Sequence, residues 1–337
     1  MELTNKMIRE GVEYLSTNDN DRSRVGRYHH CQNIGCRDLN GASSNDVAGL
    51  TRVADRVNLS QQNFPIIQSK FTIGFEIEKN RLHRTSVREY PLFAGFETDG
   101  SCGYEAVTNI LPLVKPSIWR NKVYNMFHQA EKIIDEQYSP SNQKRGGVYT
   151  CGGHISVGVI GMSGEELMEK VRLNCGILYS LFRYRLKNSY TKFNASLLPY
   201  SDENGHQNRL ISGYDSKYCV AIAKSNCLEF RLPTRVTSVN QLKRRYELFY
   251  ALLDYSINKP RGTHENFLNS ITQILLDMYE GNAEKVNELK ALAREFRKVL
   301  KTNKIHPIVA KWFPTQNNSD NYTRTTRRMI ADGSLWR

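Results

Sequence analysis

The stretch Phe71-Thr72-Ile73-Gly74-Phe75-Glu76-Ile77-Glu78 constrains this chain more than any other. Apolar and polar residues alternate through it with the period of a strand, so Phe75 and Ile77 are expected to face a core. Side chains two apart on a strand share a face, and Glu76 and Glu78 therefore point the same way. Two carboxylates held that close repel, and burial makes each costlier to ionise. A divalent cation relieves both penalties, and paired carboxylate oxygens suit a hard ion such as Mg2+. Taken alone, a Glu-x-Glu pair is more often two solvated residues on a strand surface. What the rest of the chain places beside it decides between the two readings.

The 337 residues suffice for one large domain or two small ones, and an apolar fraction of 39% with 10% aromatics is that of a globular protein. No apolar run approaches the length that crosses a bilayer, and Met1 to Lys6 lacks the basic-then-apolar profile of a signal peptide. Seven cysteines at scattered spacings fit free thiols in a reducing compartment. The expectation is a cytoplasmic protein. The net charge of +13 is uneven: residues 282–337 hold 12 Lys or Arg against 5 Asp or Glu, whereas residues 1–70 hold 9 against 8. A basic C-terminal segment can bind nucleic acid, hold an anionic substrate, or merely keep the protein soluble.

Along the chain, residues 1–70 read as a helical and irregular extension, with helices over 2–16 and 44–57 around a polar stretch. His29, His30, Cys31 and Cys36 have spacing compatible with zinc, but a structural site wants a second pair and the next cysteine is Cys102. Free thiols are the favoured reading there. Around Asp99-Gly100-Ser101 and Gly103 a tight hairpin is predicted, carrying Glu97, Asp99 and Glu105 close together. A helix over Pro116–Tyr138 follows, then a strand over Val148–Val159. In that strand Ile155 and Val157 share the buried face, and His154 and Ser156 share the other. Gly152 and Gly153 let another backbone, or a nucleotide, approach closely. Ser163 and Glu166 form a capping box that opens a long helix to about Leu186. Residues 188–216 read as a polar loop long enough for an active-site rim. Strands over Lys217–Ala223 and Cys227–Pro233 come next; in the second, Glu229 and Arg231 project opposite Leu228, Phe230 and Leu232. Helices are predicted over 238–257, 263–280 and 283–302, before a polar tail.

Four motifs stand in a telling order: Gly-x-Glu-x-Glu (74–78), Asp-Gly-Ser…Gly-Tyr-Glu (99–105), Cys-Gly-Gly-His-Ile-Ser-Val-Gly (151–158) and Leu-Glu-Phe-Arg-Leu-Pro (228–233). Over residues 71–255 the chain thereby resembles the phage-type amidoligases, carboxylate–amine ligases related to glutamine synthetase and glutamate–cysteine ligase. The resemblance implies an α+β fold: an antiparallel β-sheet with a concave active-site face, packed by helices. It implies a catalytic domain over 71–260, with a helical segment and basic tail at 261–337 packed on it. Glu76, Glu78, Glu105 and Glu229 would be ligands of Mg2+. His154 would sit against the metal or the ATP phosphates, with Ser156 and Lys217 also at the nucleotide, and Arg231 would contact the transferred phosphoryl group. Asp99 matches the amidoligase hairpin acid, although Glu97 has the glutamine synthetase spacing to Glu105. Two departures stand out. Lys217-Tyr218 replaces an Arg-Tyr, keeping the charge and losing the bidentate grip, and Ala106-Val107-Thr108 replaces a common Val-Ser-Pro.

The activity so implied is ATP-dependent formation of an amide or isopeptide bond through an acyl phosphate, from small-molecule or peptide carboxylates and amines. It calls for no membrane, for nucleic acid at most weakly, and places the protein in the cytoplasm of a phage-infected cell. Two rivals remain. A metal-dependent nuclease could use the same acidic face with the basic tail, taking Glu229-Phe230-Arg231 as its Glu-x-Arg element, but would not need a Gly-Gly-His strand. A ligase-fold scaffold without activity would not need to keep charge at every key position.

Overall fold

The computed structural model describes residues 70–80, 93–99, 103–108, 111–115, 127–131, 134, 152–159, 161–187, 220–223, 227–302 and 306–313. The expected helices over 2–16 and 44–57, the cysteine–histidine cluster at 29–36, the loop at 188–216 and Lys217 lie outside them, as does most of the 116–138 helix.

Seven strands are described: β1 (Phe71–Asn80), β2 (Phe93–Asp99), β3 (Gly103–Thr108), β4 (Leu111–Pro112), β5 (Ile155–Val159), β6 (Ala221–Ala223) and β7 (Leu228–Phe230). They form one sheet in the order β2-β3-β1-β5-β7-β6, with β4 also on β1, and every pairing is antiparallel. The molecule is thus an α+β protein built on an antiparallel sheet. β1 lies inside it, pairing β5 along Phe71–Phe75 and β3 along Glu76–Asn80. The helices are α1 (Gly164–Val171), α2 (Gly176–Leu181), α3 (Val239–Leu253), α4 (His264–Ser270), α5 (Thr272–Met278), α6 (Ala283–Thr302) and α7 (Pro307–Ala310).

The alternation in β1 works as expected on its apolar side. Phe71, Ile73, Phe75 and Ile77 join Ile155, Val157, Leu228 and Phe230 in the core, each such burial being worth about 1.5–3 kcal/mol. α3 closes over this face. Phe249 meets Phe230 edge-on at 5.1 Å, Phe127 meets Phe75 at 5.7 Å, and the Tyr246 hydroxyl accepts a hydrogen bond from the Val114 amide at 2.9 Å. The same core runs on without a break through α6 to Trp312 and Phe313. The polar side of β1 differs from an ordinary strand surface. Glu76 is 8% exposed and Glu78 5%, so both faces are dry.

Ser163 caps α1 as its sequence predicts: its hydroxyl accepts from the Glu166 amide, and its own amide donates to Glu166 Oε2 at 2.8 Å. The Glu166 carboxyl is held below its usual range first by that backbone hydrogen bond and then by the Ser163 hydroxyl. The single helix expected up to Leu186 is instead broken. A 3-10 turn over Arg172–Asn174 separates α1 from α2, and a second over Arg183–Lys187 follows. The break lets α2 lie hard against α6: a Cβ on Gly176 would stand 2.3 Å from the Ala293 carbonyl oxygen. The helix expected over 263–280 is likewise divided at Ile271. There the Ser270 and Thr272 hydroxyls bond back to the carbonyls of Phe267 and Leu268, at 2.7 and 3.1 Å, a habit that bends helices. The first of the C-terminal helices, α3, ends in a π-helical turn over Asp254–Asn258. Of the strand expected over 148–159, residues 148–151 lie outside the described residues and Ile155–Val159 form β5; that expected over 227–233 is strand over Leu228–Phe230, and Gly152 and Thr234 are joined by an isolated bridge. None of the described helices is long and apolar enough to cross a membrane.

Candidate functional site

Three neighbouring strands deliver the polar face. The β1–β5 register pairs Phe75 with Ile155, and one step on the Glu76 amide donates to the His154 carbonyl at 3.0 Å. The β5–β7 register pairs Ser156 with Glu229. Side chains of Glu76, His154 and Glu229 consequently meet: one ligating atom from each lies within 4.8 Å of the others, and all three residues are buried. The His154 Nδ1–H donates to Glu76 Oε2 at 2.5 Å, and His154 Nε2 lies 3.4 Å from Glu78 Oε1. Both nitrogens of one ring therefore face carboxylates from β1.

Arg231, just past β7, closes the other side. Its Nη1 donates to Glu229 Oε1 at 2.7 Å. Burial pulls the guanidinium pKa down, but Glu229, Glu76 and Glu78 together outweigh it and hold the pKa above its ordinary value. Ser156, expected near the nucleotide, is buried in the central row between Gly74 and Glu229.

Glu78 occupies the next step along β1. Its Oε2 accepts from the Gly152 amide at 2.5 Å. A Cβ on Gly152 would lie 2.9 Å from Glu78 Oε1 and 3.2 Å from Arg185 Nη2, so only glycine leaves room for carboxylate and guanidinium on either side of it. In backbone register Glu78 stands opposite Glu105, and Glu105 opposite Glu97. Asp99 instead stands opposite Gly103, at the end of β2. The three glutamates form one row across β1, β3 and β2.

The structure therefore brings together Glu76, Glu78, His154, Glu229 and Arg231 of the residues expected from sequence. It groups His154, rather than Glu78, with Glu76 and Glu229. Lys217 lies outside the described residues. Two residues at the site went unnoticed in the sequence. Arg185 is 5% exposed beside Glu78, in the 3-10 turn Arg183–Lys187 that follows α2. Arg245 is buried in α3 at a position where the helical period calls for an apolar side chain. A cation inside an apolar stripe was the available signal for Arg245, whereas Arg185, between Arg183 and Lys187, offered none. No family model matches the chain, and no curated protein sequence matches it either.

Proposed function

We propose that the chain is an ATP-dependent carboxylate–amine ligase of the amidoligase kind, working on the polar face of its sheet. The convergence of Glu76, His154 and Glu229 from three strands, with Arg231 on Glu229, carries the reading. Burying several carboxylates side by side costs free energy through both repulsion and desolvation. A sheet face evolved for stability alone would fill those positions with apolar side chains. The donor set fits a divalent cation: two carboxylates suit Mg2+ or Mn2+, and the imidazole tilts the preference toward Mn2+. Glu78, with Glu105 and Glu97 in its row, would supply oxygens for a second ion; the register favours Glu97 over Asp99 as the hairpin acid. When bound, such ions would neutralise the charge of the ATP phosphates.

The chain's own part is positioning and electrostatic stabilisation. One edge of the planar Arg231 fork rests on Glu229, and its side chain stays 16% exposed, able to meet a phosphoryl oxygen. The substrate carboxylate oxygen attacks the γ-phosphorus and the bond to ADP breaks. The amine nitrogen then attacks the acyl carbon of the acyl phosphate, and phosphate leaves with the C–O electron pair. No side-chain nucleophile is required. The Cys175 thiol would serve poorly as one, since burial pushes its pKa far up.

The test is ADP release from Mg·ATP or Mn·ATP in the presence of pooled carboxylates and pooled amines. The ligase reading expects release that needs both pools and falls in Glu229→Gln. Failure of the protein to bind Mn2+, or cleavage of added plasmid with no ADP formed, would remove it.

A further inference from the structure

α3 carries an arginine in its buried stripe. Leu242, Tyr246, Phe249 and Leu253 recur at helical spacing in the core, and Arg245 shares their burial at 1% exposure. Its guanidinium lies 5.5 Å from the Phe182 ring centroid. Three of its contacts go to one short piece of chain: Nη1 donates to the Thr234 carbonyl at 2.7 Å, while Nη2 donates to the Thr234 hydroxyl at 3.0 Å and the Arg235 carbonyl at 3.3 Å. The same piece is pressed against the glycines of the site. Gly152 bridges Thr234, and a Cβ on Gly153 would stand 2.3 Å from the Thr234 carbonyl oxygen and 3.1 Å from Arg245 Nη1. Gly152 donates to Glu78, and His154 follows Gly153 directly. Glu229 and Arg231 lie just upstream of Thr234 on the same strand end.

We propose that Arg245 is a positioning residue of the cation centre. By pinning the Thr234–Arg235 backbone it sets the spacing between the His154 side of the site and the Glu229–Arg231 side. The inference rests on the ligase reading in that it assumes a cation held by Glu76, His154 and Glu229. Stability alone does not call for an arginine here, since a buried cation can often be replaced by a packed apolar side chain without loss. What an apolar side chain lacks is a rigid fork of donors that fixes two successive carbonyls.

The experiment reads Mn2+ alone binding to the full chain, through loss of the free-ion electron paramagnetic resonance signal, beside a thermal melt. The variants are Arg245→Lys, Arg245→Gln and, as a stability control in α6, Val299→Ala. Groups that orient metal ligands typically contribute about 10–100-fold to affinity, and Arg245→Gln should weaken Mn2+ binding by that order. The sign is diagnostic. Loss of a neighbouring positive charge would by itself tighten cation binding, so a weakening reports lost geometry. Arg245→Lys keeps the charge, loses the fork, and should also bind more weakly; it carries the test if Arg245→Gln does not fold. Val299→Ala should melt earlier and bind Mn2+ as the wild type does. Wild-type binding that Arg245→Lys leaves unaltered, or that Arg245→Gln tightens, overturns the positioning role and spares the ligase reading. A wild type that binds no Mn2+ overturns both.

Discussion

On the polar face of the sheet, Glu76, Glu78 and Glu229 share a buried space with the imidazole of His154 and the guanidiniums of Arg231 and Arg185. Along the C-terminal helices the same residue types meet in another way. Arg294 pairs with Glu265, Lys285 with Glu288 and Lys298 with Glu295, each at 2.7 Å, on side chains reaching 56% exposure. The two sets of short ion pairs differ in what surrounds them. Water and salt screen the helix pairs, two of which are three residues apart in sequence and form almost for free once the helix does. The sheet charges come from strands far apart in the chain and have been stripped of solvent, so their mutual repulsion and attraction go unscreened. Short distance alone therefore says little; desolvation and convergence mark the sheet face as the place where chemistry is to be sought.

The sharpest way to break that contrast is at Arg231. Arg231→Lys should lower ligase turnover about 10²–10³-fold, the usual loss when a donor to developing charge is removed, with a smaller effect on ATP binding. Steady-state ADP production against ATP concentration checks this. An unchanged rate would make Arg231 a plain ion-pair partner like those on α6.

Two glycine substitutions sharpen the comparison at the level of packing. A Cβ on Gly153 would stand 2.3 Å from the Thr234 carbonyl oxygen, and one on Gly176 would stand 2.3 Å from that of Ala293. Both Gly153→Ala and Gly176→Ala should cost stability, about 1–3 kcal/mol for overpacking of this kind, measured by urea unfolding. Only Gly153→Ala should also weaken Mn2+ binding, because only its neighbour carries a residue of the site. Equal Mn2+ affinity in the two variants would deny that the sheet scaffold tunes the centre.

Among the helices, His264 supplies a charge that stays absent. Its Nδ1 hydrogen-bonds Asn174 at 3.2 Å, and burial, then Arg297, pushes its pKa down from 6.5 to about 4. Because the folded pKa is lowered, the unfolded chain takes up a proton more readily. Stability is therefore complete above pH 6.5 and is lost as the pH falls from there toward 4. Thermal melts across that range should show the decline, and His264→Gln should flatten it. A decline of the same slope in the variant would assign it elsewhere, the carboxylates of the sheet being the next place to look.

The smallest effect belongs to the exposed helix pair. Glu265→Gln should change stability by about 0–1 kcal/mol and lose even that at high salt. A larger, salt-resistant loss in urea unfolding would mean that α4 and α6 are joined by something more than a screened contact.

How much of this was legible beforehand depended on how local each feature is. The strand period of β1, the capping box of Ser163 and Glu166, and the start of α3 at Ser238 were readable because they depend on neighbours a few residues away. The antiparallel sheet packed by helices was expected from the resemblance that the four motifs carry. The breaks at Arg172–Asn174 and Ile271 were not readable. The first answers to how closely α2 approaches α6, and the second to hydroxyls turning back on their own helix. The same limit applied at the site, where Glu76 and Glu78 were both candidates and no local pattern could say that one imidazole, that of His154, would stand against the two of them.

What the sequence determined by itself is where most of the strands lie, the apolar sides of β1, β5 and β7, and which side chains are candidates for holding a cation or a phosphate. What the tertiary structure decided is which of them meet. The registers of β1 on β5 and β5 on β7 bring Glu76, His154 and Glu229 within 4.8 Å. Gly153 and Arg245 fix how tightly the backbone beside them can close. The period of a strand is set by each residue's own backbone geometry, whereas register is set by hydrogen bonds between segments some seventy to ninety residues apart.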